Sequence, residues 1–241
     1  MKLLILSDIH ANHLALEAIW QRESDADAIY CAGDLVDYGP FPHEVIEWMK
    51  KHNVKAVFGN HDKALLSVFR TLGRDFSHIP PSEYLWVHEN CLRLTDEDIE
   101  YLAALPETVD FTADGYRYRM AHQSDESWKP PRTAAGFDAF AENIPGPDEF
   151  PVRLILGHTH RQSIYTMIGD RTWINPGSTY YRQPDDHDKS AHYAVIEEGI
   201  ISLRAAEYDR SPLLKEILPF VEKNAMKEWE LRSAMFACAG C

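Results

Sequence analysis

Polar residues that can bind metals follow five short apolar runs of the chain. The five motifs are Ser7-Asp8-Ile9-His10, Gly33-Asp34-Leu35-Val36-Asp37, Gly59-Asn60-His61-Asp62, Ala121-His122 and Gly157-His158-Thr159-His160. Imidazole nitrogens mixed with carboxylate or amide oxygens suit Mn, Fe, Zn, Co or Ni better than Ca or Mg alone. The motifs contain no cysteine, which argues against a structural zinc site. Together they predict a metal centre that does chemistry.

The number of candidate ligands exceeds what one tetrahedral ion needs. They are Asp8, His10, Asp34, Asn60, His122, His158 and His160. With one carboxylate shared, these donors are enough for two ions. A pair of ions roughly 3.5–4 Å apart can clamp the oxygens of an in-line displacement at phosphorus. Each motif alone also has an ordinary explanation, such as turn chemistry for Gly-Asp, so the prediction rests on all five occurring together.

The spacing of apolar residues predicts the elements that bring these motifs together. We expect strands at residues 2–6, 28–32 and 54–58, separated by helical patterns around residues 16–20 and 43–52. Strands separated by helices of this length pair in parallel through crossover connections. Sites in open α/β sheets form beyond the carboxyl ends of the strands. The motifs should therefore meet at one edge of a sheet.

The pattern changes after the third predicted strand. Residues 63–108 carry helical signals, including a capping box at Thr95 and Asp98, and we interpret them as a helical cap inserted in a domain that spans residues 1–210. Strands dominate again from Phe111 to Tyr208, and residues 211–241 form a predicted C-terminal helical extension. The fold class expected from this order is an α/β sandwich.

Composition narrows the class of protein. The 241 residues include 24 Lys and Arg against 38 Asp and Glu, for a net charge of −14. This charge disfavours nucleic-acid polymers and anionic membranes as partners. The four cysteines form no dense framework, and no apolar run is long enough for a bilayer. We therefore expect a cytoplasmic protein whose substrate, if phosphorylated, is small.

In order and residue type, the five motifs closely resemble those of the calcineurin-like metallophosphoesterase superfamily. That family carries D-x-H, G-D-x-x-D, G-N-H followed by Asp or Glu, a lone His, and G-H-x-H. The flanking segments GDLVDYGPFPHEVI, LAALPETV and INPGS (residues 33–46, 102–109 and 174–178) also resemble it. The resemblance extends to about residue 208 and is strongest with the small stand-alone prokaryotic, phosphodiesterase-like branch. It implies a four-layer α/β/β/α sandwich of two mixed sheets.

The resemblance also implies a role for each site residue. One metal would be held by Asp8, His10 and His160, and the other by Asn60, His122 and His158, with Asp34 as the bridge. His61 would be the general acid, and Asp62 would be its orienting carboxylate. We expect two divalent ions per chain, manganese first, with Fe, Zn, Ni and Co as alternatives.

The implied activity is a two-metal-dependent phosphoesterase. A metal-bridging hydroxide would attack a phosphodiester or a nucleotide-type phosphoanhydride, and His61 would protonate the leaving group. Two alternatives stay open: a phosphomonoesterase or protein phosphatase, and a non-catalytic metal-binding scaffold. Tyr38 stands where related phosphatases carry an arginine, so a bidentate phosphate clamp is missing, which disfavours a phosphoprotein substrate. The intact His61-Asp62 pair disfavours the scaffold. The oligomeric state stays open.

Overall fold

The computed structural model describes residues 1–123, 130–180 and 188–224. The strands in these ranges are β1 Lys2–Leu6, β2 Ala28–Cys31, β3 Lys55–Ala56, β4 Thr108–Ala113, β5 Tyr116–Ala121, β6 Val152–Leu156, β7 Ser163–Met167, β8 Arg171–Asn175, β9 Ala191–Glu197 and β10 Ile200–Ala206. The α-helices are α1 His13–Glu23, α2 Pro42–Lys51, α3 Asn60–Leu72, α4 Trp86–Arg93, α5 Asp96–Ala103, α6 Ala134–Phe140 and α7 Ser211–Asn224. No helix in the described ranges is long and apolar enough to cross a membrane.

The strands form two mixed sheets of five. The first has the order β10-β9-β1-β2-β3, in which β1, β2 and β3 are parallel and β9 runs antiparallel to β1. The second has the order β4-β5-β6-β8-β7, in which β5, β6 and β8 are parallel. The crossover helices α1 and α2 connect the parallel strands of the first sheet, as the spacing predicts.

Strand β1 shows why the sheets stack between helices. Its side chains alternate between two cores: Leu4 and Leu6 pack in the cluster shared with α1 and α2, whereas Leu3 and Ile5 pack between the sheets. Because both faces are buried, the strand is apolar from residue 3 to residue 6 and does not alternate with polar residues. On the far face of the second sheet, Phe137 of α6 packs in a third cluster. The architecture is the four-layer α/β/β/α sandwich expected above.

The loops that follow the strands meet at one edge. The backbone N–H of Asp8, two residues after β1, donates to the carbonyl of Gly33, two residues after β2, at 2.9 Å. At the second sheet, the N–H of Gly157 donates to the carbonyl of His122 at 3.0 Å. These bonds lock the ends of strands from the same sheet together, so the side chains that follow point into a shared space.

Several elements differ from the sequence predictions. The strand predicted at residues 54–58 is only Lys55–Ala56: the N–H of Val57 still bonds to the carbonyl of Cys31 in β2, but the N–H of Phe58 bonds to the carbonyl of Pro106. Strand β7 and helix α6 are not predicted. Strand β7 is an edge strand whose side chains are mostly exposed, so it lacks the apolar pattern of a buried strand. Residues 225–241 of the helical extension predicted at 211–241 lie outside the described residues.

Three helices, α3 to α5, fill the segment between β3 and β4. Thr95 caps α5 as predicted: its hydroxyl accepts the N–H of Asp98 at 3.2 Å, and its own N–H donates to the Asp98 carboxylate at 3.0 Å. The C-terminal helix α7 packs against this helical segment, with the ring of Phe220 stacked on Trp86 at 4.0 Å between centroids. Tyr38 and Phe41 pack against the same cluster, which therefore joins the helical segment and α7 to the loop that follows β2.

Candidate metal centre

All seven candidate metal ligands lie together at the strand-end edge. One group consists of Asp8, His10, Asp34 and His160, and a second consists of Asp34, His122 and His158; within each group the ligand atoms lie within 4.8 Å of one another. Asn60 completes the second group, because its Oδ1 lies 2.9 Å from Nε2 of His122 and 2.8 Å from Nδ1 of His158. Asp34 is the member common to both.

The two carboxylate oxygens of Asp34 differ. One accepts a hydrogen bond, and the other forms none within the described residues. Its Oδ1 accepts the backbone N–H of His61 at 2.8 Å. Its Oδ2 is buried without a hydrogen bond, 3.2 Å from Nε2 of His122 and 3.9 Å from Nε2 of His10. An unsatisfied buried carboxylate oxygen is costly. Its position between the two imidazole groups fits an oxygen that two cations share.

Two histidines are oriented by backbone carbonyls behind them. Nδ1 of His122 lies 2.7 Å from the carbonyl of Ala32, and Nδ1 of His10 lies 3.2 Å from the carbonyl of Val36. A ring nitrogen that donates to a carbonyl leaves the opposite nitrogen as the metal ligand. Both Nε2 atoms face the Asp34 carboxylate, so the rings are set for binding before any ion arrives.

Burial and mutual repulsion keep the imidazoles of His10 and His158 neutral. Burial, reinforced by the neighbouring His61, lowers the pKa of His10 to about 3. Burial and the charge of His122 lower the pKa of His158 to about 4. Neutral imidazole is the form that binds a metal. His122 behaves oppositely: burial disfavours its charge, but the negative charge of the nearby Asp34 carboxylate outweighs burial and raises the pKa of His122 to about 10.

The backbone at the site has positive φ angles at several residues that are not glycine. Five of the seven candidate ligands have φ in the left-handed region: Asp8, His10, Asp34, His158 and His160, with φ of 51°, 49°, 55°, 69° and 58°. Residues other than glycine occupy this region at a cost of about 1–2 kcal/mol each. Such strain persists only where the surrounding structure enforces it, and it concentrates at functional sites.

Glycine is required at two positions because side chains of the site approach the backbone there. A Cβ on Gly59 would overlap Oδ1 of Asp34, and a Cβ on Gly157 would overlap the hydroxyl of Ser7. That hydroxyl donates to Oδ2 of Asp8. Glycine at the end of each strand thus leaves room for both carboxylates.

The predicted pairing of His61 with Asp62 is wrong. Nδ1 of His61 lies 2.7 Å from Oδ2 of Asp37. The Asp62 carboxylate instead accepts backbone N–H groups, including that of Leu35 at 2.9 Å and that of Gly59 at 2.9 Å. Asp62 lies in the first turn of α3, where a carboxylate reaches back to backbone donors. It ties two strand-end loops together, and Asp37 orients the imidazole.

Two residues near the centre, Asp37 and Tyr38, are not among the predicted site residues. The sequence predicts no role for Asp37, and it indicates of Tyr38 only that an arginine is missing there. Both have left-handed φ, 72° and 62°. The half-buried ring of Tyr38 lies 4.6 Å from the ring of His61 and 4.9 Å from that of His10, between centroids. The second aspartate of Gly33-Asp34-Leu35-Val36-Asp37 was visible in the sequence, but its partner depends on this loop geometry.

A further cluster of potential ligands does not resemble a metal site. It contains His43, Glu47 and Asp98. Lys50 already serves as its cation, because its ammonium lies 3.0 Å from Oδ1 of Asp98 and 3.0 Å from Oε1 of Glu47. This cluster connects α2 to α5 and is explained by ion pairing.

Comparison with known proteins shows the family of this chain. The family model of the calcineurin-like phosphoesterase superfamily domain matches residues 1–198. An uncharacterised protein of Methanocaldococcus jannaschii is 25% identical over 93% of both chains. A symmetrical bis(5'-nucleosyl)-tetraphosphatase of Salmonella paratyphi C is 30% identical over 42% of this chain and 41% of its own length.

A solved structure shows the same fold along the whole chain. A metallophosphoesterase from Sphaerobacter thermophilus superposes with a TM-score of 0.72 and 24% identity, covering 99% of each chain. The family model covers well over half of the sequence, and the solved structure has the same fold. The chain belongs to the calcineurin-like phosphoesterase superfamily and is a hydrolase of phosphate esters.

Proposed function

We propose that this protein is a two-metal-dependent phosphoesterase that cleaves a phosphodiester or a nucleotide-type phosphoanhydride in a small substrate. The observation that carries the proposal is the position of Asp34. Its unbonded buried oxygen lies between two groups of imidazole ligands, and its other oxygen holds the backbone of His61. Metal ligands and a proton donor therefore share one anchoring carboxylate.

The residues that would hold the ions divide into two sets around Asp34. The first set is Asp8, His10 and His160, and the second is Asn60, His122 and His158. Two divalent ions bound there would supply Lewis-acid stabilisation of the phosphate oxygens and a water of lowered pKa as the nucleophile. We infer manganese as the first candidate, with Fe, Zn, Ni and Co as alternatives.

His61 has the surroundings of a general acid. Burial disfavours its charged form, but the hydrogen bond from Nδ1 to Asp37, reinforced by the charge of Asp34, raises its pKa to about 9. The imidazole is therefore protonated at neutral pH. With Nδ1 held by Asp37, Nε2 is the nitrogen that donates its proton to a departing oxygen.

Tyr38 supports a diester or an anhydride over a dianionic monoester. It contacts both His10 and His61, so the position next to the general acid supplies an aromatic ring and not a guanidinium. A phosphate monoester carries one more ionisable oxygen than a diester and gains more from an arginine clamp. The name of the Salmonella relative, a symmetrical bis(5'-nucleosyl)-tetraphosphatase, adds support for a nucleotide-type anhydride.

We also propose a class of partner, a cellular location and a division into domains. We propose a small phosphorylated substrate and no nucleic-acid polymer as partner, because the net charge is −14. We propose a cytoplasmic location, supported by the free, buried thiols of Cys31 and Cys91. We divide the chain into a domain of residues 1–210 with a cap insertion at 63–108, and an extension at 211–241.

A substrate comparison tests the proposal. Protein loaded with Mn²⁺ is assayed on bis-p-nitrophenyl phosphate, p-nitrophenyl phosphate and diadenosine tetraphosphate. We expect a higher kcat/KM for the diester or the dinucleotide than for the monoester, and loss of all activity in Asp34→Asn. Glu47→Gln, in the cluster that Lys50 occupies, serves as the matched control and should retain activity. A preference for the monoester would identify a phosphomonoesterase, and metal binding without cleavage would identify a scaffold.

A further inference from the structure

The side chain of Asn90 in α4 contacts the loop that carries Asp37. Asn90 is fully buried. Its Oδ1 accepts the backbone N–H of Asp37 at 2.9 Å, and its Nδ2 donates to the carbonyl of Gly39 at 2.9 Å. The Asn90 amide therefore bonds to the loop on both sides of Tyr38, although Asn90 lies in the helical segment, 53 residues along the chain from Asp37.

This loop needs an external support. Asp37 and Tyr38 are consecutive non-glycine residues in the left-handed region, with φ of 72° and 62°. Such a pair is unfavourable by itself and is held only when the surroundings determine it. Within the loop, the N–H of Tyr38 donates to Oδ1 of Asp37 at 2.8 Å, and the N–H of Gly39 donates to the carbonyl of Asp37 at 2.8 Å. These two bonds close the turn on itself and do not set its position relative to α3.

The hydrogen bonds to the loop, and not helix formation, explain why residue 90 is an asparagine. Asparagine is a weak helix former in a helix interior, and burying its amide is costly unless both its oxygen and its nitrogen are bonded. Both bonds go to the loop, and neither goes to the helix. Arg93, one turn further along α4, donates from Nη1 to the carbonyl of Pro40 at 2.8 Å, so α4 also holds the loop beyond Gly39.

The contacts of Asn90 with the loop affect His61 through Asp37. The backbone N–H of Asp37 donates to Oδ1 of Asn90, and Oδ2 of the same aspartate lies 2.7 Å from Nδ1 of His61. We propose that Asn90 is a positioning residue of the phosphoesterase reaction: it holds Asp37 at the distance that orients His61, and so couples helix α4 to protonation of the leaving group. The inference rests on the proposed function, because it assigns the support of the proposed general acid.

Two variants in α4 test this proposal: one changes Asn90, and the other changes a residue that does not contact Asp37. Asn90→Leu keeps the approximate volume and removes both hydrogen bonds to the loop. Arg93→Met is the matched control, because it removes the bond to Pro40 and leaves the contact with Asp37 intact. Thermal unfolding of both variants confirms that each is folded under the assay conditions.

The first readout is the dependence of rate on the leaving group. Aryl methyl phosphate diesters are compared, with leaving groups from 4-nitrophenol to unsubstituted phenol. Because a poor leaving group depends more on a general acid, Asn90→Leu should lose on the order of tenfold more kcat/KM on the phenyl ester than on the nitrophenyl ester. Arg93→Met should change that ratio by less than about twofold. In an Asp37→Asn background, Asn90→Leu should not change the ratio further.

The second readout does not depend on activity. In ¹H–¹⁵N NMR spectra selective for histidine rings, the hydrogen-bonded Nδ1–H of His61 should be protected from exchange in the wild type and in Arg93→Met, and should lose protection in Asn90→Leu. Equal losses on all leaving groups together with a protected His61 signal in Asn90→Leu would overturn the inference and leave Asn90 a purely structural bond. A wild-type protein that cleaves none of the esters would overturn the proposed function, and the NMR comparison would still decide the position of His61.

Discussion

Nδ1 of His61 and Oδ2 of Asp37 lie 2.7 Å apart, and their side chains are only 20% and 11% exposed. The carboxylate adjacent to His61 in sequence, Asp62, is turned away and is bonded to backbone N–H groups. The two aspartates therefore affect different properties: Asp37 acts on the imidazole, and Asp62 acts on the loops that present Asp34.

This difference predicts opposite phenotypes for two isosteric substitutions. Asp37→Asn weakens the hold on His61, so it should lower kcat/KM on a phenyl diester about tenfold more than on a nitrophenyl diester. Asp62→Asn places amide hydrogens against backbone donors and should lower the free energy of unfolding by about 1–3 kcal/mol, with no leaving-group dependence. Urea unfolding and the ester series measure the two effects. Equal leaving-group dependence in both variants would contradict the assignment.

Gly59 should tolerate no side chain. A Cβ there overlaps Oδ1 of Asp34, so Gly59→Ala must displace the shared carboxylate or the loop. We expect a loss of about 1–3 kcal/mol in the free energy of unfolding, together with weaker Mn²⁺ binding measured by calorimetry. Gly136→Ala in α6, where the nearest atom is the Thr133 hydroxyl at 3.2 Å, is the control and should bind Mn²⁺ normally. Unchanged Mn²⁺ affinity in Gly59→Ala would show that the carboxylate does not need this space.

Tyr38 should influence the choice between monoester and diester. Tyr38→Arg adds a guanidinium beside His61 and favours the more highly charged monoester. The ratio of kcat/KM for p-nitrophenyl phosphate to that for bis-p-nitrophenyl phosphate should therefore rise by about tenfold. Tyr38→Phe keeps the ring and should leave this ratio within about twofold. If arginine and phenylalanine gave the same ratio, the residue at position 38 would not determine specificity.

The ion pair between His43 and Asp98 predicts a pH dependence of stability. The hydrogen bond to Asp98 raises the pKa of His43 above its usual 6.5, so the pair stabilises the fold fully below pH 6.5 and loses this effect as pH rises through the raised pKa. His43 is 42% exposed, so solvent screening limits the effect to about 0.5 kcal/mol.

Urea unfolding at pH 5.5 and pH 8.5 measures this effect. His43→Gln should destabilise the protein more at pH 5.5 than at pH 8.5. Lys50→Met removes another partner of Asp98 that does not titrate in this range, so its effect should be the same at both pH values. An identical loss for His43→Gln at both pH values would show that the pair contributes nothing that titrates.

Sequence reasoning predicted that the seven candidate ligands lie close together, because each follows a predicted strand, and the structure has them close together. The partner of His61 could not be found in this way. The choice of Asp37 over Asp62 depends on a left-handed turn at residues 37 and 38, and two consecutive residues other than glycine rarely adopt this conformation. Asn90 gave no signal either, because a single amide in a helical segment acquires its role only through packing against a distant loop. Strand β7 was missed because its edge position leaves its side chains exposed.

The central claim is that two ions, held around the single carboxylate of Asp34, support hydrolysis. The most direct measurement is a titration of metal-free protein with Mn²⁺ while bis-p-nitrophenyl phosphate hydrolysis is followed. The account predicts that the rate rises until two equivalents are bound per chain, and that Asp34→Asn is inactive at every Mn²⁺ concentration. Full activity at one equivalent, or metal-dependent activity retained in Asp34→Asn, would contradict it.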